Sequence, residues 1–414
     1  MSARPAAVRF IFITVVLDVL AVGVIIPVLP GLIQGFVGGD VVRGAYWYGI
    51  FGTIWALMQF FCSPIIGMLS DRFGRRPVIL LANFGLGLDY LVMAFAPTLG
   101  WLFASRVISG ITGAAWTTAG AYIADVTKPE ERAKSYGMIG AAWGLGFVLG
   151  PVTGGLLGSI DIHLPFIVAS ALTLLNAMYG LFVLPESLPP EKRTSFKWAK
   201  ANPVGSLTLL RRHHELFGLA MVSAIYFLAH QAFPSVFVIF ANYRYSWNAK
   251  QVGLLLAIVG ICTALVQALV MQRAVKALGE RKAVMVGLAS GTVSFLIWAA
   301  SPVGWMGALA VPFGSLMGLF GPACQALMSR HVTAQEQGQL QGAFASIMGI
   351  TGMIGPTLFT TVFGRFIDPN GTQLPGAPFF LAAGLALGAL FIGWRVTRGG
   401  VDPVVGAPPE VHPE

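Results

Sequence analysis

Apolar residues along this chain gather into long runs separated by short polar breaks. A helix needs about 20 apolar residues to cross the hydrocarbon core of a bilayer. By that ruler twelve runs emerge, at residues 8–36, 45–67, 77–97, 99–123, 132–158, 162–184, 215–241, 250–273, 281–301, 303–329, 337–366 and 376–396. They predict an all-α membrane protein with twelve transmembrane helices, numbered below as spans 1 to 12. Several runs exceed one crossing, so their ends are expected to tilt or project.

Composition agrees with that pattern. Only 10% of the 414 residues are charged and 56% are hydrophobic. A soluble domain carries about 25% charge; this chain lacks the charge to cover a water-facing surface of its size. The formal net charge of +9 raises nucleic acid as a partner. The basic residues form no single stripe or aromatic-interleaved patch, so nucleic acid is not expected. They gather instead in one set of loops, as basic residues do on the cytoplasmic side of membrane proteins. With both termini inside, every Lys and Arg lies on that side except Arg43, Arg244, Lys250 and Arg365, which face outward, and Arg106, which lies within a span. A multi-pass protein of the bacterial inner membrane with both termini cytoplasmic is the expectation. The N-terminal run continues from Val8 past Pro30 and includes Asp18. That is too long for a cleaved signal, so it reads as a retained first span.

One long cytoplasmic connection, 185–214, separates six spans from six. The expected organisation is an N-terminal half (1–184), the linker (185–214), a C-terminal half (215–398) and a disordered tail (399–414). A shift of 205 residues superimposes landmarks of the two halves without a gap. Gly74 falls on Gly279, Arg76 on Arg281, Gly113 on Gly318, Glu131 on Glu336, Gly144 on Gly349, Gly150 on Gly355 and Pro151 on Pro356. The halves therefore read as pseudo-repeats. Transporters built from such repeats bind substrate near the midplane between them.

Cys62, Cys262 and Cys324 lie in apolar runs with no CxxC pair or Cys/His cluster, so they read as small apolar residues. No metal site and no resident cofactor are expected. No GxSxG, HExxH or phosphate-binding loop occurs, which argues against an enzyme and against ATP as the energy source.

The loop after span 2 carries Gly67, Asp71, Arg72, Gly74, Arg75 and Arg76. Asp71 is suited to accept hydrogen bonds at a helix N-terminus. Arg75 and Arg76 are suited to forked pairs with carboxylates such as Asp125 at the end of span 4. In the second half the cognate loop has Lys276 at the acidic position, so gating contacts are expected to be asymmetric. In span 5, Gly146, Gly150 and Gly154 recur every four residues and share one face; Gly155 and Pro151 accompany them. Small residues at that spacing let helix backbones approach, and Pro151 permits a bend. Plain close packing is compatible with the run, though a hinge is the favoured reading.

With helix ends excluded, Asp18, Asp89 and Arg106 are the charged residues inside the spans. An ionisable group there costs at least about 2.5 kcal/mol, so a functional role is the default. Asp89 lies about 12 Å and Arg106 about 10 Å from the same membrane edge, by helical rise, which brings them to one level. The two form either a coupling pair or a static structural pair; Asp18 has no evident partner and is the better proton carrier. Gln59, Gln267 and Gln325 are midplane polar candidates for a substrate cavity, joined by His230 and Gln231 in span 7. Trp116, Trp143, Phe227 and Phe233 are aromatic candidates. Each of the amides equally suits cross-linking helices, and His230 equally suits packing.

The loop after span 2 resembles the signature loop of the major facilitator superfamily, and the span 5 run resembles a motif of its drug-exporting antiporters. Leu17 and Asp18 through Pro27 and Pro30, Leu88 to Leu91, Arg106 to Ala114, Tyr226 with Phe227, and Gly338 to Gly342 resemble the tetracycline/proton antiporters. The resemblance implies coupling through Asp18 and Asp89, and a gating loop that holds the outward-open state and breaks on switching. It also implies export of a tetracycline, carried as a divalent-metal complex, against inward protons. Where that family has a histidine in span 8 and an aspartate in span 9, this chain has Thr263 and Gly291. The expected partners are a small-molecule drug, protons and the lipid bilayer; the oligomeric state is open, with a monomer compatible. Competing readings are a carrier of the same fold for another drug, a sugar or a metabolite, and a non-transporting membrane receptor.

Overall fold

A computed structural model describes residues 3–113, 116–127, 131–196, 202–212, 214–333 and 336–398. Among them the regular structure is entirely helical. Among the described residues nine helices are long and apolar enough to cross a membrane, or ten when a bent pair is taken as one span. Two breaks reconcile that number with twelve apolar runs. The continuous stretch Ala249–Ala300 contains a non-helical residue, Gly279 (φ 75°, ψ 161°), and so makes two crossings. Span 4 is divided into Leu99–Gly113 and Trp116–Val126, on either side of two residues outside the described set.

The other spans are Val41–Phe73, Arg75–Ala94, Arg132–Gly158, Leu164–Val183, Gln337–Ile367 and Ala377–Val396, with spans 1, 7 and 10 interrupted. Their starts follow from local chemistry. Asp40 accepts from the Arg43 backbone N–H at 3.0 Å and caps span 2. Asn248 and Gln251 cap each other reciprocally at the start of span 8. Span 1, expected to run unbroken over 8–36, bends by 42° between Ile25 and Leu29. Pro27 and Pro30 supply no N–H, and the chain there falls back on shorter-range bonds such as Val28 N–H to Ile25 C=O at 3.1 Å. Span 7 breaks at Gln231 (His214–His230, then Ala232–Tyr245), four residues before the first intrahelical N–H that Pro234 leaves free to form.

Buried apolar side chains separate by half. One cluster draws on residues 209–389 with Ala45 alone from the first half; the other two draw on residues 11–184. The 205-residue repeat is also visible in the backbone. Gly74 (φ 106°, ψ 158°) and Gly279 (φ 75°, ψ 161°) share a conformation that side-chain-bearing residues avoid. The linker is not featureless: Pro190–Lys192, Gly205–Leu207 and Thr208–Arg212 are short helical turns. Its C-terminal part docks on span 11, where Ser346 donates to the Pro203 carbonyl and Ser206 lies over Gly342. The expected tail, 399–414, lies outside the described residues.

The halves meet through spans 2 and 11 and through spans 5 and 8. On the side away from the linker they touch backbone to backbone. A Cβ on Gly253 would strike the Pro151 carbonyl, and one on Gly155 would lie 3.1 Å from Lys250 Cα. Gly52 sits against Pro356, and Gly49 against Thr360. Thr53 bridges the halves by donating to the Met353 carbonyl at 2.8 Å, with its oxygen also 2.8 Å from that of Thr357. On the linker side the same elements stand apart. Gly137, Gly140 and Gly144 of span 5 and Gly338 of span 11 have nothing within 4 Å of a Cβ. The structure is closed away from the linker and open toward it.

Candidate substrate cavity, buried acids and gating loop

Between the halves lies a cavity of about 370 Å³. Its wall is mostly apolar and aromatic, with Tyr48, Phe51 and Trp55 from span 2, Tyr90 from span 3, and Phe233 and Phe237 from span 7. Among the described residues Arg106 is its one charged lining residue; Ser109, Gln231 and Ser235 are its main polar groups. This is the usual composition of a small-molecule site, an apolar box with a few orienting polar atoms. Sequence reasoning named Arg106, Gln231 and Phe233 but not the span 2 aromatics, which lie in a run with no charge to mark them.

Other expected cavity residues lie elsewhere. Gln59 packs over Gly113, its Nε2 2.8 Å from where a Cβ would stand, and fills the seam between spans 2 and 4. Gln325 does not line the cavity. His230 does not either; its ring centre lies 6.0 Å from that of Tyr226, which stacks on Phe320 at 3.8 Å. Phe227 packs edge-on against Tyr226 and Phe344. The side chain of Trp116 lies outside the described residues. Gly291, where the resembling family has an acid, is held against Met317, whose Sδ would be 2.9 Å from an added Cβ. The space for a carboxylate there is occupied by packing.

The two membrane acids are buried, Asp18 at 8% and Asp89 at 2% exposure. Asp89 accepts from Ser105 Oγ at 2.5 Å, and its second oxygen lies 3.7 Å from Arg106 Nη2. Arg106 also reaches Met93 Sδ at 2.6 Å, while its Nε has no partner. A charge pair with loose geometry on a cavity wall leaves the guanidinium able to bond a ligand. Asp18 accepts from Asn176 Nδ2 at 3.0 Å, and the same amide donates to the Thr14 carbonyl at 3.3 Å. The partner that sequence reasoning could not name is therefore Asn176; its signal is a lone amide within the apolar run Leu164–Val183.

The loop after span 2 is an ion cluster within one half. Arg75 pairs with Asp71 at 2.5 Å and with Asp125 at 3.2 Å, and donates to Ser70 Oγ at 2.6 Å. The helix N-terminus expected to hold Asp71 is occupied by Glu186 instead, which accepts from the Arg75 backbone N–H at 2.9 Å and from Ser187 and Leu188 at 3.0 Å. Arg75 intercepts Asp71 because both lie on facing turns across Gly74. A Cβ on Gly74 would strike the Glu186 carboxylate. Arg76 donates to the Leu181 carbonyl at 2.7 Å rather than to an acid, closing the end of span 6. Arg72 lies over the ring of Phe73. Gly67 has open space around it. Among the described residues none of these partners belongs to the second half, so the cluster stays whole with the linker side open.

The second half keeps the key pair with its charges exchanged. Under the 205-residue shift Arg75 falls on Glu280 and Asp125 on Arg330, and Arg330 Nη2 lies 2.8 Å from Glu280 Oε1. The expected asymmetry is thus one of polarity.

In span 5, Gly146, Gly150 and Gly154 all face span 1, against Val19, Gly23 and Val24. An added Cβ on Gly150 would be 2.7 Å from Gly23 Cα. Gly155 points the other way, onto Ala249 of span 8. Pro151 presents its carbonyl to Gly253. One run of glycines thus welds span 5 to its own half and seats the other half on it.

A twelve-run bundle of two repeated halves around a central cavity agrees with what comparison finds. The family model described as "Major Facilitator Superfamily" matches residues 11–356 and 219–410. The chain belongs to the major facilitator superfamily. It is 41% identical to the tetracycline resistance protein, class C, of Escherichia coli over 373 residues, covering 89% of this chain and 93% of that protein. To the class B protein of the same organism it is 34% identical over 368 residues, 87% and 89% of the two chains. Among solved structures the human organic anion transporter MFSD10 (TETRAN) superimposes with a TM-score of 0.68 at 24% identity, covering 95% of this chain and all of that one. This superfamily member is a multi-pass membrane transporter, not an enzyme.

Proposed function

We propose that this transporter exports a tetracycline from the cytoplasm in exchange for protons, by alternating access between its halves. The observation that carries the reading is a substrate-sized aromatic cavity with Arg106 on its wall and two buried acids beside it, in a chain 41% identical to a tetracycline resistance protein. We assign the halves to 1–184 and 215–398, joined by 185–214, in the bacterial inner membrane with both termini cytoplasmic. The linker side is then the cytoplasm, and the state described is inward-open, ready to load drug.

In this account the planar faces of Tyr48, Trp55 and Phe233 sandwich the polycyclic ligand, and Gln231, Ser109 and the Arg106 guanidinium orient its oxygens. Arg106 is the switch between cavity and acid: a ligand anion that takes the guanidinium loosens its hold on Asp89, 3.7 Å away. Asp18 carries the exchanged proton. Asp71 and Arg72, both on the exposed linker face, meet the second half when that side closes, while Arg75, Arg76, Gly74 and Asp125 keep the loop in shape. Gly155, Pro151 and Gly253 form the outer seal. A tetracycline entering as a divalent-metal complex would carry its metal as cargo. The largely apolar wall, and Met317 packed where the related aspartate would stand, favour a second reading in which other amphiphilic drugs are also accepted.

The test is drug accumulation in cells, with and without a proton uncoupler. The intact protein lowers cell tetracycline and the uncoupler restores it; Asp18→Asn, present in the membrane at equal amount, does neither. Equal export by Asp18→Asn removes that residue from the mechanism.

A further inference from the structure

Asp18 does not line the central cavity. It lines a separate void of about 30 Å³ inside the first half, enclosed by spans 1, 3 and 4. Leu86 and Gly113 line both spaces, so the partition between them is one residue thick. The void's polar groups are Thr14 and Asp18 from span 1, Asn83 from span 3 and Thr112 from span 4; the rest of its wall is apolar.

Size and chemistry both suit water. A water needs about 10–15 Å³ of such volume and two to four polar partners. Thr14 is 3% exposed, and its Oγ1 has no partner. An orphaned buried hydroxyl costs about 1–3 kcal/mol unless something satisfies it. Asn83, also buried, lines the same void. Thr112 Oγ1 donates to the Ile108 and Ser109 carbonyls and keeps lone pairs free. Asp18 gives one oxygen to Asn176 and keeps the other.

Direction follows from helix geometry. Thr14 is one turn and Ile11 two turns nearer the linker side than Asp18, so the void reaches about 10 Å from the acid toward that side. Among the described residues Tyr90 of span 3 is the titratable side chain within electrostatic reach of Asp18. Span 4 contributes hydroxyls, span 5 glycines and apolar groups, and span 6 the Asn176 amide.

We propose that this void is a water site that passes the proton between Asp18 and the cytoplasmic side, outside the drug cavity, with Thr14 and Asn83 positioning its waters. The carboxyl O–H bond breaks as a water takes the proton, and the excess proton moves on through the next O–H toward the linker side. Drug and proton then use different passages, so a proton leaves Asp18 while the cavity holds drug. This rests on the proton-coupled reading above.

The test uses inverted membrane vesicles carrying the full chain, in two assays: tetracycline uptake driven by an imposed pH gradient, and drug-for-drug counterflow with no gradient. Thr14→Val, near in shape but without a hydroxyl, combined with Asn83→Leu, is expected to slow gradient-driven uptake tenfold or more. Counterflow stays within twofold in rate and KM, and Thr14→Ser behaves like the unmodified chain. Gradient-driven uptake within twofold of normal in the double variant overturns the proposal, as does an equal loss of counterflow in Thr14→Val alone. Asp18→Asn separates the two failures: normal gradient-driven uptake there overturns the coupling reading itself, whereas its loss beside a normal double variant overturns only the water route.

Discussion

Gly253→Leu should prevent the outer side from closing. In the structure the Gly253 Cα lies against the Pro151 carbonyl, and an added Cβ would meet the Pro151 carbonyl carbon at 3.0 Å and Gly155 Cα at 3.3 Å. Ordinary contact is 3.4–4 Å, and both neighbours are backbone, which has no rotamer to turn away. Spans 5 and 8 must therefore separate before even a methyl fits, and leucine adds three more carbons. Overpacking of this kind costs about 1–3 kcal/mol. The cost falls only on the state in which the spans touch, so it shifts the equilibrium toward outward-open by about five- to 150-fold. The assay is labelling of Ile239→Cys, in a chain lacking Cys62, Cys262 and Cys324, by a membrane-impermeant maleimide added to whole cells. Ile239 is 8% exposed and lines the outer pocket between the halves. Labelling should rise at least fivefold with Gly253→Leu and stay unchanged with Gly384→Leu, where nothing lies within 4 Å. Unchanged labelling with both would refute the closure described at spans 5 and 8.

Three further outcomes follow from the same geometry. Gly279→Ala forces alanine into a positive-φ conformation and should cost about 1–2 kcal/mol, lowering the unfolding temperature in detergent; Gly74→Ala should cost more, because its Cβ also strikes Glu186. Arg106→Ala leaves Asp89 buried without its cation and should cost about 3–5 kcal/mol in the same assay, much of it recovered when Asp89→Asn is added. Glu280→Arg and Arg330→Glu should each cost under about 1 kcal/mol, since Arg330 is 60% exposed, and the two together should recover the loss; two additive losses would show that the exchanged pair contributes nothing.

The spans were legible because an apolar run of membrane length has one stable fate. The breaks within spans 1 and 7 were legible only in part. Pro27, Pro30 and Pro234 mark where a backbone bond must be missing, but not how far the chain bends to replace it. The glycine face of span 5 could be read from spacing, though not that Gly155, one residue past the stripe, seats span 8. The exchanged pair Glu280–Arg330 was present in the register of the repeat, yet a charge swap breaks the residue-type matches by which repeats are found. Cavity lining was the least legible feature. Which of 29 phenylalanines faces the centre depends on helix rotation, set by packing across both halves, and Gln59 and Gln325 look the same in sequence as Gln231. Asn176 and Glu186 act through contacts more than 100 residues away in the chain, to Asp18 and to the Arg75 N–H respectively.

The central claim is that drug and proton movements are one process. Purified protein in liposomes holding a trapped pH-sensitive dye, given a tetracycline gradient and no initial pH difference, tests it directly. The account predicts that drug leaving down its gradient drives protons the opposite way, and that Asp18→Asn carries no such proton flux. Drug movement through the intact protein with no change in the trapped dye would contradict it.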